Sequence, residues 1–327
     1  MPLVLAFTMS VVLLLALWID RRWGEPPVAI HPVVWIGHYL KACGRVTVRC
    51  PPAPAFVLGA LAWMAGAAAA GALAWALQAL SLWQLARFMA RPGIENALAA
   101  TLWVALMAWL LKSMLSWRML MDEVGAVEAA LRQSLPAGRE RLSWLVSRDT
   151  VNLTERQVRE SVIETLAENL NDSVVAPIFW FVLLGLPGAA VYRFANTADA
   201  MWGYRGTYRG QHWEWAGKWA ARADDALSWL PARLTAGLLM AVTRQGQFGA
   251  LRREAARTPS PNSGWPMAAM AMALGVTLGK PGVYTLNAAG RAPQAGDVPL
   301  AQKYASKMVF ALVPWALIAI VLVAWVM

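Results

Sequence analysis

Charged residues are scarce in this sequence of 327 residues. They make up only 15% of the chain, whereas hydrophobic residues make up 58% and the mean hydropathy is +0.44. Such a composition argues against a soluble globular protein. The 19 tryptophans agree, because indole rings accumulate where a membrane meets water. We therefore predict an integral membrane protein with several spans.

Cysteine and histidine are also rare, which leaves little material for a soft-metal site. The two cysteines, Cys43 and Cys50, lie near two histidines, but the spacing fits no usual zinc pattern. We interpret both as free thiols. The sequence also lacks a Walker A loop, a Rossmann glycine fingerprint and a nucleophile elbow. These absences exclude the commonest sequence signatures of nucleotide and hydrolase sites.

The net charge of +10 does not predict a nucleic-acid partner in this context. Arginines in short loops beside apolar runs are the usual mark of the cytoplasmic side of a membrane protein. They also suit the binding of a substrate's phosphate or carboxylate groups. We expect no nucleic acid among the partners.

Uncharged runs predict an all-α, polytopic fold with roughly four to six full spans plus re-entrant or interfacial helices. The longest runs are residues 2–19, 53–86, 96–111, 173–192 and 308–326. One shorter stretch, residues 266–279, fits a buried or re-entrant segment better than a span, and residues 229–242 are apolar apart from Arg233. The simplest organisation is one membrane-embedded domain, residues 1–327. Within it, residues 116–172 are predicted to form a cytoplasmic, acidic helical region.

Three places in these runs carry a definite expectation. Asp20 and the two arginines after it should end the first span on the cytoplasmic side. An interfacial turn is expected around residues 80–83, because 34 uncharged residues exceed one ordinary span. The third span can reach Leu115 only if Lys112 snorkels to the interface.

Acidic residues concentrate in one stretch, where ten of the chain's 19 lie between Asp122 and Asp172. A helix should begin after Thr154, because Thr154 and Gln157 have the spacing of a capping box. The acids that recur every four residues along it are Glu160, Glu164, Glu168 and Asp172. They share one face and repel each other by a few tenths of a kcal/mol per pair. Water, arginines or a bound cation should offset that repulsion.

The acidic helix allows two interpretations. It could be a solvated face with Arg156 and Arg159 as local partners. It also runs straight into the uncharged residues 173–192, and ionisable groups next to a membrane-depth segment tend to be functional. That segment contains Pro177 and Pro187, so we favour a re-entrant element over a full span.

Six polar clusters interrupt the apolar background. They are Glu25 with His31; Arg148 with Asp149; Glu164, Glu168, Asn169 and Asp172; Asn196, Thr197 and Asp199; Arg222, Asp224 and Asp225; and Ser260, Asn262 and Ser263. Carboxylates grouped with amide and hydroxyl oxygens suit Mg²⁺ and phosphates, and the arginines suit capture of anions. Backbone N–H groups of the turn at 260–264 could also face an anion.

Each cluster also has a purely structural interpretation. Asp199 could pair with a neighbouring arginine, Asp224 and Asp225 could offset nearby cations at a helix end, and His31 could be a packed loop histidine. Taken together, the clusters predict a polar site at a membrane face. They do not name its reaction.

Several motifs resemble those of the CobD/CbiB family. The motifs are GEPP…HPVVWIG, SRDT, ETLAEN-x-x-D-x-VVAP, GAAVYR-x-x-NTADAM-x-GY, ARADD…PARL and SPNSGWP-x-AAMA-x-ALGV. They follow the family's order from about Asp20 to Tyr284, which is most of the chain, and several are long and idiosyncratic. The resemblance implies an adenosylcobinamide-phosphate synthase of cobalamin biosynthesis.

Such an enzyme would join aminopropanol, or its O-phosphate, to the free propionate of adenosylcobyric acid. The resemblance implies that this amide ligation consumes ATP and needs Mg²⁺. It also implies a multi-pass protein of the bacterial inner membrane with its active face toward the cytoplasm. Membrane lipid would surround it, and a homo-oligomer or an association with other late cobalamin-pathway membrane enzymes is a further expectation.

The roles implied by the resemblance divide the polar residues into three groups. The predicted Mg²⁺ ligands are Glu164, Glu168, Asp172 and, second in order, Asp199. The residues predicted to be catalytic are Glu164, Glu168, Asp172 and His31, the last as a candidate base. Those predicted to bind substrate or phosphate are Glu25, Arg148, Asp149, Asn169, Asn196, Thr197, Arg222, Asp225, Ser260, Asn262 and Ser263.

The chain departs from the family pattern at a few positions. Met267 stands where an acid is usual, Lys280 stands in a usual Gly-Gly pair, and Glu25 replaces an Asp. Two other classes of function stay open. An AmpE-like signalling or regulatory protein should have lost the acidic helix and the NT-x-D motif, both of which are intact here. A transporter should show an inverted hydropathy repeat, and none is evident.

Overall fold

The computed structural model describes residues 2–326, which are mostly helical. The chain divides into two units. Unit 1 comprises Met1–Ser116, Ala176–Leu227 and Ala316–Met327, and unit 2 comprises Trp117–Val175 and Ser228–Trp315.

Unit 1 contains long apolar helices and one small hairpin. Its elements are α1 (Pro2–Trp23), a 3₁₀ turn (Val28–Ile30), α2 (Pro32–Thr47), α3 (Pro52–Ala90), α4 (Ile94–Lys112), α8 (Ala176–Trp202), β1 (Thr207–Tyr208), β2 (Gln211–His212) and α9 (Lys218–Leu227). Strands β1 and β2 are antiparallel. The final residues of the last helix, α13 (Asp297–Val326), also belong to this unit.

Unit 2 consists of shorter helices and a second hairpin. Its elements are α5 (Trp117–Gln133), α6 (Leu135–Leu142), α7 (Glu155–Leu170), a π turn (Asn171–Val175), α10 (Trp229–Val242), α11 (Phe248–Ala255), α12 (Gly264–Leu274), β3 (Leu278–Lys280), β4 (Tyr284–Leu286) and most of α13 (Asp297–Val326). Strands β3 and β4 are antiparallel, with Lys280 opposite Tyr284.

Five helical stretches in the described part of the chain are long and apolar enough to cross a membrane. They are Pro2–Trp23, Pro52–Ala90, Ile94–Gln133, Glu155–Trp202 and Asp297–Val326. The helical content and these stretches confirm the predicted all-α, polytopic fold class. Trp229–Val242 and Gly264–Leu274 are shorter apolar helices, and the second lies where a segment too short for a span was predicted.

Two helices continue past boundaries that the sequence predicted. α1 continues through Asp20 to Trp23, because Asp20 is buried against Lys112 of α4 instead of ending the helix in water. α3 continues without a turn through residues 80–83, which contain neither Gly nor Pro. Its 39 residues are roughly 58 Å long, far more than a bilayer core. Part of α3 must therefore tilt or extend beyond the hydrocarbon.

Lys112 turns inward and does not snorkel. Its side chain is 1% exposed, and its Nζ lies 2.9 Å from Glu25 Oε2 and 3.5 Å from Asp20 Oδ1. A buried ammonium is stable only with such partners. This buried cluster ties the ends of α1 and α4 to the loop that follows α1.

Glu25 gains from this arrangement. Burial by itself would raise the pKa of its carboxyl, but hydrogen bonds with His31 and Lys112 outweigh burial and bring the pKa below the ordinary value of 4.5. The folded state therefore favours the carboxylate. This stabilisation is present above the unfolded pKa and is lost as the pH falls through the folded one.

The start of α7 confirms the predicted capping box. Gln157 N donates to Thr154 Oγ1 at 3.3 Å, and Thr154 N donates to Gln157 Oε1 at 2.8 Å. α7 is buried on most of its surface, including Glu160 and Glu164. The solvated-face interpretation of the acidic helix is therefore wrong for these two residues.

α7 passes into a π turn at Asn171–Val175 before α8 begins. Pro177 follows the turn directly. Because proline has no N–H and its ring collides with the carbonyl four residues earlier, a wider turn accommodates it. Isolated π turns of this kind are common at functional sites.

The chain reverses direction at Gly185 in α8. Gly185 has φ 69° and ψ −156°, a conformation open almost only to glycine. A Cβ on Gly188 would collide with the carbonyl of Trp180, although these residues would lie about 12 Å apart along a continuous helix. The backbone N–H of Leu186 is satisfied by Gln78 Oε1 of α3 at 2.8 Å. The re-entrant element at residues 173–192 stays a prediction, and a reversal of this kind is what it requires.

Gly185→Ala should destabilise the protein by about 1–3 kcal/mol, because the backbone conformation excludes a side chain and the new Cβ would collide with Gln78. Thermal unfolding of the full chain in detergent measures the effect. Gly237→Ala is the matched control, since Gly237 lies in an apolar helix where a Cβ would meet open space. Equal melting temperatures for the two variants would contradict the proposed strain at Gly185.

Glu25→Gln should flatten the loss of stability in acid. The wild type should lose melting temperature between about pH 5 and pH 3 as the Glu25 carboxylate is protonated, and the variant should lose less. Glu95→Gln, at an exposed position, should follow the wild type. If Glu25→Gln also follows the wild type, the buried cluster does not depend on this charge.

Candidate active site

The centre of the site in unit 2 is an ion pair between Arg148 and Glu164. Arg148 comes from the loop between α6 and α7, and Glu164 lies in the middle of α7 with its side chain 5% exposed. Arg148 Nη2 donates to Glu164 Oε2 at 3.3 Å and to Ser161 Oγ at 2.7 Å. The structure thus brings together two residues that the sequence predicted for different roles.

This pair is incomplete in a specific way. Glu164 Oε1 and Arg148 Nη1 are both buried, and neither has a hydrogen-bond partner within residues 2–326. Buried polar atoms are nearly always bonded, so the two exceptions call for an explanation. One is an anionic acceptor and the other a cationic donor. A cation at Glu164 Oε1 and a phosphate oxygen at Arg148 Nη1 would together satisfy both atoms.

Tyr284 of β4 lies beside the same pair. Burial and then the neighbouring Glu164 carboxylate raise the pKa of Tyr284 well above its usual range, so its hydroxyl stays protonated. The hydroxyl also lies 3.8 Å from the sulfur of Met267. Met267 is the residue that replaces the acid expected from the family pattern. Tyr284 had no predicted role, because neither a charge nor a helical spacing marks it in the sequence.

The other residues chosen from α7 lie toward its end. Glu168 is half-buried, and Asn169 Nδ2 donates to its own helix at Thr165 O, 3.0 Å away. Asp172 lies in the π turn, where Asn171 Nδ2 donates to Asp172 Oδ1 at 2.8 Å. Asn171 Oδ1 in turn accepts a hydrogen bond from Thr235 Oγ1 at 3.1 Å.

Asn171 therefore holds Asp172 in place, although it was not among the predicted site residues. The helical period did not mark it, because the π turn changes which residues of this stretch face inward. In the sequence, the only sign of this turn was Pro177, which follows Asn171 and Asp172 closely.

Arginines form ion pairs with several acids of this region. Arg156 Nε lies 2.7 Å from Glu160 Oε1, as the local-partner interpretation expected. Arg159 instead reaches Glu128 of α5 at 3.0 Å as well as Glu155 at 2.6 Å. Glu160 is thereby neutralised within the chain, whereas Glu164 keeps one oxygen available.

The turn at 260–264 is closed on itself. Ser260 Oγ accepts hydrogen bonds from the backbone N–H groups of Asn262 at 3.2 Å and Ser263 at 3.3 Å. Arg233 Nη1 donates to Asn262 Oδ1 at 3.0 Å. The two amides that were expected to face an anion are thus already engaged inside the turn. Asp149 closes a small turn of its own, accepting from Val151 N at 2.9 Å.

Unit 1 holds Glu25 and His31 in the buried cluster with Lys112. His31 caps α2 because its Nδ1 accepts the backbone N–H of Val33 at 3.2 Å, and its Nε2 lies 3.1 Å from Glu25 Oε2. Both ring nitrogens are engaged, so His31 has no free nitrogen to act as a base in this conformation. Glu25 Oε1 is buried without a hydrogen-bond partner in the described part of the chain.

The remaining predicted residues lie on α8 and α9 of unit 1. Asn196 Nδ2 donates to Asp224 Oδ1 at 3.4 Å, and Thr197 Oγ1 donates to the carbonyl of Arg193 at 2.7 Å. Burial raises the pKa of Asp225, and Arg205 acts against that shift. Asp199 is half-buried and Arg222 is exposed.

Among residues 2–326, no three or more His, Cys, Asp and Glu side chains are grouped closely enough to hold a metal by themselves. Mg²⁺ rarely needs such a group, because it usually takes one or two carboxylates together with phosphate oxygens and water. The buried, unbonded oxygen of Glu164 fits that chemistry.

Comparisons with known proteins place this chain in a family. The family model described as CobD/Cbib protein matches residues 13–312. The chain is 42% identical over 271 residues to the cobalamin biosynthesis protein CobD of Chromobacterium violaceum, covering 81% of this chain and 80% of the relative. It is 40% identical over 281 residues to a protein of Methanothermobacter thermautotrophicus named "Probable cobalamin biosynthesis protein CobD", covering 84% and 86%.

A third relative, named in the same way, is from Thermococcus kodakarensis and is 36% identical over 95% of both chains. No solved structure matches. With a family model over most of its length and relatives above 30% identity, the chain belongs to the CobD/CbiB family of cobalamin biosynthesis.

Proposed function

We propose that this protein is an ATP-dependent ligase that joins aminopropanol, or its O-phosphate, to the free propionate of adenosylcobyric acid. The observation that carries the proposal is the incomplete Arg148–Glu164 pair, which leaves one buried donor and one buried acceptor ready for a ligand. Membership of a cobalamin biosynthesis family supports the choice of substrates.

The proposed reaction needs an activated carboxylate, because an amine cannot displace an oxide from a carboxylate directly. A propionate oxygen would attack a phosphorus of ATP, and ADP would leave. The amine nitrogen would then attack the acyl carbon, phosphate would leave, and the nitrogen would lose a proton. Both steps build negative charge on oxygens, so fixed donors in a dry site stabilise them.

Arg148 and Glu164 divide this work between them. Arg148 Nη1 would donate to a phosphate oxygen, while the bond from its Nη2 to Glu164 keeps the guanidinium oriented. Glu164 would hold Mg²⁺ through Oε1, with Glu168 and Asp172 of the same unit as the further proposed ligands. Asp199, in the other unit, stays a separate prediction. Bound Mg²⁺ would supply charge neutralisation at the phosphates. The bond from Asn171 would keep Asp172 in its orientation.

The residues of unit 1 are proposed to bind the other reactants. Glu25 Oε1 offers a buried acceptor for an ammonium or hydroxyl group, and His31 holds the other oxygen in position. Asn196, Thr197, Arg222 and Asp225 of unit 1 remain proposed substrate-binding residues. In unit 2, Asp149, Asn169 and the side chains of Ser260, Asn262 and Ser263 remain so, while the backbone amides of that turn are engaged with Ser260. We place the protein in the bacterial inner membrane with this chemistry on the cytoplasmic face, where ATP is available.

Glu164→Gln should lower the rate of amide formation on the order of 100-fold, since it keeps the shape of the side chain but removes the charge that would hold the metal. The assay uses membranes supplied with adenosylcobyric acid, the amine, ATP and Mg²⁺. Asp122→Asn, an exposed acid of the same unit, is the control and should retain the wild-type rate. Full activity of Glu164→Gln in well-expressed protein would exclude the proposed site.

Growth complementation separates a ligase from a signalling protein. In a strain without its own synthase, the wild-type chain should support growth on both cobyric acid and cobinamide. Glu168→Gln should support growth only on cobinamide, because that compound enters the pathway after the amide is formed. Failure of the wild type on cobyric acid, with membrane expression verified, would overturn the ligase assignment.

A further inference from the structure

A polar groove in unit 2 has no ligand assigned to it by the proposed function. It has a volume of about 510 Å³ and lies between the start of α7 and the β3–β4 hairpin. We call it the hairpin groove. Its polar lining residues are Thr154, Arg156, Gln157 and Glu160 on the helix side and Thr277, Lys280, Tyr284 and Thr285 on the hairpin side.

The charges around the hairpin groove favour an anionic ligand. Arg156 and Glu160 pair with each other at 2.7 Å and neutralise each other. Lys280 is exposed and has no ion pair among residues 2–326, so one positive charge is left over. The positive end of the α7 dipole lies on the same side, where Thr154 begins the helix.

Most neutral groups of the hairpin groove are already engaged. Thr154 and Gln157 form the capping box, and the hydroxyl of Thr277 donates to the carbonyl of Gly290 at 2.6 Å. The ammonium of Lys280 and the hydroxyl of Thr285 remain, and they are donors suited to phosphate oxygens.

Tyr284 connects the hairpin groove to the incomplete ion pair. It lines the groove, it is the cross-strand partner of Lys280, and its hydroxyl lies beside the Glu164 carboxylate. A ligand in the groove would therefore approach Arg148 and Glu164 by way of Tyr284.

The geometry points to the hairpin groove as the binding site for a phosphate-bearing ligand, with Lys280 contacting the phosphate and Tyr284 positioning Glu164. The inference rests on the proposed function, because it names the ligand class of the same site. Two proposed substrates carry such a group, the nucleotide and the phosphorylated amine. Their shared chemistry is the phosphate, and binding measurements can tell them apart.

The test measures binding of two probes, MgATP and aminopropanol O-phosphate, to the full chain purified in detergent without corrinoid. Lys280→Glu should weaken one of the two by tenfold or more, and the ligand affected identifies the source of the phosphate. Lys303→Glu, an equal charge reversal at an exposed position outside the groove, should change affinity by less than twofold.

Three outcomes would overturn the inference. They are that the wild type binds neither probe, that Lys280→Glu binds both as the wild type does, or that the control weakens binding equally. Amide formation by the same preparations keeps the two proposals apart. If Lys280→Glu leaves binding unchanged while the preparations make normal product, the inference about the groove fails and the ligase proposal stands. If Lys280→Glu weakens binding but the wild type makes no product, the ligase proposal fails and the inference about the groove stands.

Tyr284→Phe tests the positioning role separately. Loss of the hydroxyl should lower kcat about tenfold while the affinity for the phosphate probe changes less than twofold, because the phenyl ring still fills its place. The melting temperature serves as the folding control. An unchanged kcat, or a loss of affinity as large as the loss of kcat, would contradict positioning through Glu164.

Discussion

The need to compensate buried charge governs this structure. Glu164 and Lys112 are almost fully buried, and each is tolerable only because an opposite charge lies beside it. Lys112 is matched by Asp20 and Glu25, which fixes the junction of α1, α4 and the following loop. Glu164 is matched by Arg148, which draws the α6–α7 loop onto α7. In the cluster around Lys112, Glu25 Oε1 has no hydrogen-bond partner among the described residues. In the other pair, Glu164 Oε1 and Arg148 Nη1 have none. Full compensation would give a stable core, whereas the unbonded atoms are where the proposed ligand would complete the compensation.

Backbone hydrogen bonding imposes the second constraint, because no water is available at membrane depth. α8 is broken at Gly185, and Gln78 of α3 supplies the missing acceptor for Leu186 N. The π turn before α8 is a smaller break, and its side chains are likewise bonded, with Asn171 joining Asp172 to Thr235. Both irregularities follow the acidic stretch along the chain. A straight helix would have needed no hydrogen bonds from such side chains at these two points. The polar residues around the breaks supply those bonds and so stabilise the breaks.

The sequence predicted the features that follow from local rules. The capping box at Thr154 and the apolar helices both depend on spacing within one element. It could not predict features that need a distant partner. Lys112 was expected at the membrane interface. The carboxylates that pair with it, Asp20 and Glu25, lie about 90 residues earlier in the chain, so no local pattern connects them to it. The interfacial turn in α3 was inferred from bilayer thickness alone, while helix propensity kept the chain helical. Tyr284 carries no charge, and only the fold places it beside Glu164.

The departures from the family pattern acquire a meaning around Tyr284. Met267, where the resemblance led us to expect an acid, contacts the Tyr284 hydroxyl through its sulfur. Lys280, where a glycine was expected, lies opposite Tyr284 in the hairpin. One change removes a negative charge and the other adds a positive one. Both therefore make the surroundings of the same hydroxyl more cationic. A cationic setting for this hydroxyl is what the proposed phosphate-bearing ligand would require next to Glu164.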